Sequence, residues 1–206
     1  MRKMYILIPV FILMLGAVGF YVSKHNAFAP VQQHSMIDGL KDDFFTDFNV
    51  DQVIETKSFE EKSAPSASNK ISPLLPSWDF KGPEILQAQE AQADQERKIL
   101  DKYALRFQAL KQLANERLNI LAGKALEEYK QDKTAGKLSK LEFAEKYYSA
   151  MELLQANLDR TFSSELDNMK SELQNAHAST QVVEQVRDEY KNSKEKFQQE
   201  LMEKLN

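Results

Sequence analysis

Hydrophobic positions along the chain fall into three regimes. Met4 to Val22 (MYILIPVFILMLGAVGFYV) is an apolar run of 19 residues without a charge. Residues 26–82 mix short polar stretches with isolated aromatics. From Glu84 onward, apolar residues recur every three or four positions, the spacing of one face of an α-helix. That last region is rich in Ala, Leu, Glu, Lys and Gln, which favour helix.

The helical region divides at its own punctuation. Leu100, Tyr103, Phe107, Leu110, Ala114, Leu118, Leu121 and Ala125 form a first stripe, which runs to a turn at Asp132–Lys137 with Gly136 near the helix end. Ser139 and Glu142 have capping-box spacing and restart a helix. Its stripe is Leu141, Ala144, Tyr148, Met151, Leu158, Phe162, Leu166, Met169, Leu173 and Ala176. The run His177–Thr180 interrupts the pattern, and Val183, Val186, Tyr190, Phe197, Leu201 and Leu205 mark a third helix. With the turn near 133–138, Ala176 returns to the level of Ala93–Gln95, and the third helix stops alongside Asn119. A three-helix base then carries a two-helix arm of about 20 residues per strand, roughly 30 Å long.

The expected fold is all-α. An N-terminal transmembrane helix (1–25) leads through a flexible tether (26–82) to a long antiparallel helical hairpin with a third helix, a coiled-coil-like bundle over 83–206. The 4–22 run, between Arg2 and Lys3 on one side and Lys24 on the other, spans roughly 28 Å as a helix, close to the hydrocarbon thickness of a bilayer. Membrane helices tolerate a proline such as Pro9, and Tyr5 and Tyr21 suit the two interfaces. Ala27-Phe28-Ala29 has the form of a signal-peptidase site, but Pro30 would follow the cut, and the run exceeds a usual signal core. An uncleaved anchor is the expectation. The cations before the span favour a cytoplasmic N-terminus and an extracytoplasmic body.

Within the tether, Ser63–Ser72 (SAPSASNKIS) has linker composition. Ile37, Leu40, Phe44 and Phe48 fall near helical spacing, with Asp38, Asp42, Asp43 and Asp47 on the polar side. Such an acidic face does not suit an anionic lipid surface, so the segment is expected to pack on the chain's own body. Asp47, Asn49, Asp51 and Glu55 imitate calcium-loop spacing. Gln52 and Ser58 stand where that loop needs its turning glycine and closing glutamate, so no metal is expected. Leu74, Leu75, Trp78 and Phe80 precede Gly82-Pro83, a helix start, and read as packing anchors.

Phe143, Tyr147, Ala150 and Leu154 form another stripe on the second helix, offset from the first, while Leu113 and Ile120 lie off the seam of the first helix. A two-helix arm cannot cover two stripes at once, and a large uncovered apolar patch marks a contact surface. Leu113, Ile120, Phe143, Tyr147 and Leu154 are therefore the candidate partner-binding residues. Their occupant is a second copy closing a four-helix bundle, an unrelated protein, or the tether folding back through Phe44, Phe45 and Phe48.

Composition narrows the chemistry. The 206 residues carry no Cys, which removes disulfides, thiolate metal sites and a Cys nucleophile. Formal net charge is −4, and removing Arg2, Lys3 and Lys24 leaves 24 basic against 31 acidic groups, unlike a nucleic-acid-binding surface. His25, His34 and His177 have no metal-ligand spacing, and there is no Gly-rich phosphate loop. No catalytic residue or cofactor is expected. The sequence therefore reads as a membrane-anchored interaction protein of the cell envelope (scaffold, spacer or assembly factor). The alternative is a tethered chaperone that clamps exported clients with its two-helix arm.

Overall fold

The computed structural model describes residues 37, 40, 42–60, 76–91, 93–135 and 140–203. The expected membrane segment, the Ser63–Ser72 linker, Gly136 and Ser139 lie outside these residues. Among the described residues there are six helices: α1 (Asp42–Thr46), α2 (Val50–Glu60), α3 (Gly82–Ala88), α4 (Asp94–Ala135), α5 (Lys140–Asn175) and α6 (Gln181–Glu203). Among the described residues there is no strand, so the fold is all-α.

α4 and α5 form the antiparallel hairpin on which everything else packs. Its register is set by polar pairs across the seam. Tyr103 and Lys102 on α4 reach Glu172 on α5, Arg106 reaches Glu165, and Lys146 and Tyr147 on α5 reach Glu128 on α4. This register sets Ala176 about one turn further along α4 than the sequence arithmetic placed it, near Ile99. α6 also runs further than expected. Phe197 shares a small cavity with Leu118 and Leu154, and the helix continues to Glu203, beyond the level of Asn119. The arm left with two helices is correspondingly shorter.

The face that α5 turns inward differs from the expected one. Phe143, Tyr147, Ala150 and Leu154 are buried and run continuously into Leu158, Phe162, Leu166, Met169 and Leu173. Tyr148 and Met151, assigned to the main stripe, are half-buried. From Leu158 toward the turn, an apolar residue lies both four and seven positions back. A four-residue step overshoots one turn by about 40° and a seven-residue step falls about 20° short of two, so helix geometry alone does not choose between Leu154 and Met151. Phe143 places its ring 5.8 Å from Tyr129 of α4 and 4.9 Å from Tyr147, which completes the seam near the turn.

A strap, residues 76–81, crosses one flank of the hairpin. Pro76, Trp78 and Phe80 face inward and Ser77, Asp79 and Lys81 outward, the two-residue alternation of extended chain. Phe80, fully buried, meets Trp78, Phe107, Phe162 and Tyr190 within 6.0 Å, so one ring ties α4, α5 and α6 together. Asn115 holds the strap as a paired backbone would. Its Oδ1 accepts from Trp78 N at 2.7 Å, and its Nδ2 donates to Trp78 O at 3.0 Å. The Trp78 indole N–H donates to Ser193 Oγ on α6 at 3.1 Å.

Candidate interaction faces

The other flank of α4 carries Arg106, Ala109, Leu113 and Arg117 at three- and four-residue steps, and the N-terminal segment lies over it. α2 packs on α4 and α1 on α5. Ile37, Phe45, Phe48 and Val50 are buried, and Leu40, Phe44, Val53 and Ile54 are half-buried against the same core. Residues 42–60 of the expected tether are thus a folded cover. The chain's own segment lies on this flank, to which Leu113 belongs.

The calcium-like spacing serves helix capping instead. Asn49 Oδ1 accepts from Gln52 N at 3.2 Å, so Asn49 is the N-cap of α2 with Gln52 at the third helical position. Asp51 faces Arg106, and the carbonyl of Asp47 accepts from Arg117. Among the described residues no group of three His, Asp or Glu side chains is arranged to hold a metal ion.

Two arginines anchor the cover. Arg106 is bidentate to Glu165, with Nε at 2.6 Å and Nη2 at 2.8 Å, and its Nη1 donates to Asp51 of α2. These carboxylates, Glu165 foremost, push the guanidinium pKa up. Arg117 is held differently. Its guanidinium lies 4.2 Å from the Phe48 ring centroid and 5.7 Å from that of Phe44. Nη2 donates to the Asp47 carbonyl, whereas Nη1 is buried without a hydrogen-bond partner among the described residues. Burial lowers its pKa, opposed by the charges of Asp47, Glu116 and Asp43.

The five candidate partner residues do not share one surface. Phe143, Tyr147 and Leu154 are core residues, with Tyr147 OH donating to Glu128 Oε2 at 2.7 Å. That corrects the expectation of an uncovered Tyr/Phe stripe, because the stripe is the hairpin seam itself. Leu113 is half-buried against the core, and Ile120 is 40% exposed. Ile120 borders an open groove between α3 and α4, lined mainly by Gln87, Gln108, Gln112, Asn119, Lys124 and Glu127. Sequence reasoning passed over Arg106 and Arg117. Their only signal was a pair of cations spaced 11 apart on one flank of a helix whose neighbours there are Ala109 and Leu113.

No protein-family model, curated protein or solved structure matches the chain. Among the described residues no helix is long and apolar enough to cross a membrane.

Proposed function

We propose that the chain is a single-pass membrane-anchored helical interaction protein of the cell envelope, a scaffold, spacer or assembly factor without catalysis of its own. The observation that carries this reading is the charge-free apolar run of residues 4–22, flanked by cations and followed by an acidic helical body. α4 alone, with 42 residues, is about 63 Å long. Such a body can bridge distance and present faces to partners. Its partly buried polar groups support the same reading. Tyr103, Tyr147, Tyr190 and Arg106 are each committed to a carboxylate on another helix, in arrangements that brace the bundle.

Topology tests the proposal. The chain has no Cys, so Ser164→Cys on the exposed side of α5 gives a single labelling site. A membrane-impermeant maleimide is expected to label it on intact cells, with the protein in the membrane fraction and its N-terminus retained. Labelling only after lysis, or a protein lacking residues 1–29, would overturn the anchored, outward-facing arrangement.

A further inference from the structure

We propose that the flank of the hairpin carrying Arg106 and Arg117 is a docking site for an acidic, phenylalanine-bearing helical segment of a partner protein, closed in this chain by Ile37, Leu40 and residues 42–60. The proposal rests on the interaction-protein reading and names the partner chemistry for it. The cover itself shows what the flank accepts: Phe45, Phe48 and Val50 buried in it, Asp51 on Arg106, and the Phe48 ring against Arg117. Arg106, already bidentate to Glu165 of the hairpin, also takes Asp51 of the segment, and Asp43 and Asp47 of the segment join Glu116 of α4 around Arg117.

The fit is incomplete at one atom. Among the described residues Arg117 Nη1 is buried without a partner, and Nη2 donates to a backbone carbonyl. A buried N–H left unpaired opposes the closed arrangement, and a carboxylate bidentate to a guanidinium is a stronger partner than a carbonyl. A segment that seats its aromatics as Phe45 and Phe48 do and places a carboxylate on Arg117 would therefore displace the cover. The cover's charged clasp is also open to water, since the Asp51 side chain is 68% exposed. By contrast the strap on the opposite flank is anchored by Phe80, which is fully buried. The cover packs on α4 and α5, whereas Phe80 of the strap meets rings on α4, α5 and α6.

A peptide titration tests this on the full-length chain in detergent. The probe is a fluorescein-labelled peptide of residues 36–60 of this sequence, which carries the cover's phenylalanines and Asp51 and so reports access to the flank. Two variants weaken the cover in place: Phe45→Asp with Phe48→Asp, and Asp51→Lys, which sets a cation against Arg106. A site that must open before binding loses apparent affinity by the fraction open. The peptide is expected to bind both variants at least about tenfold tighter than wild type, and Arg117→Ala on either background is expected to abolish binding. If the double Phe variant does not fold, Asp51→Lys decides alone, because its change is at the surface. Binding no tighter than to wild type, or unaffected by Arg117→Ala, would overturn the site. Either result leaves the topology experiment standing, so failure of the docking site is separable from failure of the anchor.

Discussion

Tyr103 on α4 and Tyr147 on α5 occupy reciprocal places at opposite ends of the hairpin. Each follows a lysine, and each donates its hydroxyl to a glutamate on the facing helix, Tyr103 to Glu172 at 2.8 Å and Tyr147 to Glu128 at 2.7 Å. The preceding lysine joins the same carboxylate, Lys102 at 2.6 Å and Lys146 at 2.7 Å. In both helices the tyrosine precedes the glutamate by 25 positions, so each helix supplies a Lys-Tyr pair at one end and an acceptor at the other. Apolar seams slide easily by one turn. Two such clamps, one near each end, fix a single register.

The clamp at the base makes an acid-sensitive contribution. The Lys102 hydrogen bond, assisted by Tyr103, holds the Glu172 carboxyl below the usual glutamate range against a smaller opposing effect of burial. A carboxyl with a depressed folded pKa stabilises fully above its unfolded value of about 4.3 and loses that effect as pH falls through the folded value. The Tm of wild type is therefore expected to exceed that of Glu172→Gln at neutral pH, with the gap closing below about pH 4. Thermal melts of both proteins between neutral and acid pH check this. A gap that persists unchanged into acid would remove Glu172 as its source.

Arg106 and Glu165 form the most enclosed ion pair across the hairpin, with 19% and 9% of their side chains exposed. Removing one partner of a buried pair strands the other charge, which typically costs about 3–5 kcal/mol, whereas replacing both with apolar groups is often near neutral. Arg106→Met is expected to destabilise by about that amount, and Arg106→Met with Glu165→Leu by clearly less. Urea unfolding of the two single variants and the double variant gives the coupling directly. Additive losses would show that the two side chains act independently.

Most of the helix layout was legible because stripes of Leu, Ala and aromatic residues at three- and four-residue steps have only one stable use in water. The break at His177–Thr180 was legible as well. His177 takes a positive φ of 54°, with Ala178 N donating to Leu173 O and His177 N to Gln174 O, a Schellman ending. The phase of the arm was not legible, since Tyr147 and Tyr148 are adjacent and both aromatic. Only the position of Glu128 on the other helix decides which of them turns inward. The cover was half legible: Ile37, Leu40, Phe44 and Phe48 announce a buried side, although Phe45 is buried more deeply than Phe44, and composition alone could not identify Arg106 and Arg117 as what receives it. Their roles depend on Asp51 and Phe48, more than 50 residues away in the chain.

Three backbone positions are expected to respond in different directions. A Cβ on Gly82 would lie 2.0 Å from the Phe80 ring, and that ring is enclosed by four other aromatics. Gly82→Ala should therefore cost about 1–3 kcal/mol or more, as overpacking does. A Cβ on Gly123, inside α4, meets nothing within 4 Å, so Gly123→Ala should stabilise by about 0.5–1 kcal/mol through helix propensity. His177→Gly should stabilise by roughly 1 kcal/mol, because glycine adopts the left-handed conformation without the Cβ penalty. Chemical denaturation of the three single variants checks all three signs. Equal losses at Gly82 and Gly123 would mean that the strap does not approach α3 as described.

Tyr190 gives the bundle a limit on the alkaline side. Its ring stacks on Phe162 at 3.7 Å and meets Trp78 edge to face at 5.5 Å, while its hydroxyl donates to Asp159 Oδ1 at 2.5 Å. Burial, reinforced by the adjacent carboxylate, pushes its pKa well above the ordinary phenol value. Tyr103 is shifted in the same direction by burial and Glu172. A phenol raised in the folded state stabilises fully below its unfolded pKa of about 10, and that contribution fades as pH rises toward the folded value. Tyr103 and Tyr190 are thus expected to ionise only when the bundle opens, together with loss of the near-UV signal of Trp78. Tyr190→Phe should reduce the amplitude of that phase. A single phase centred near pH 10, with the near-UV signal intact, would show that Tyr190 reaches solvent while the bundle stays folded.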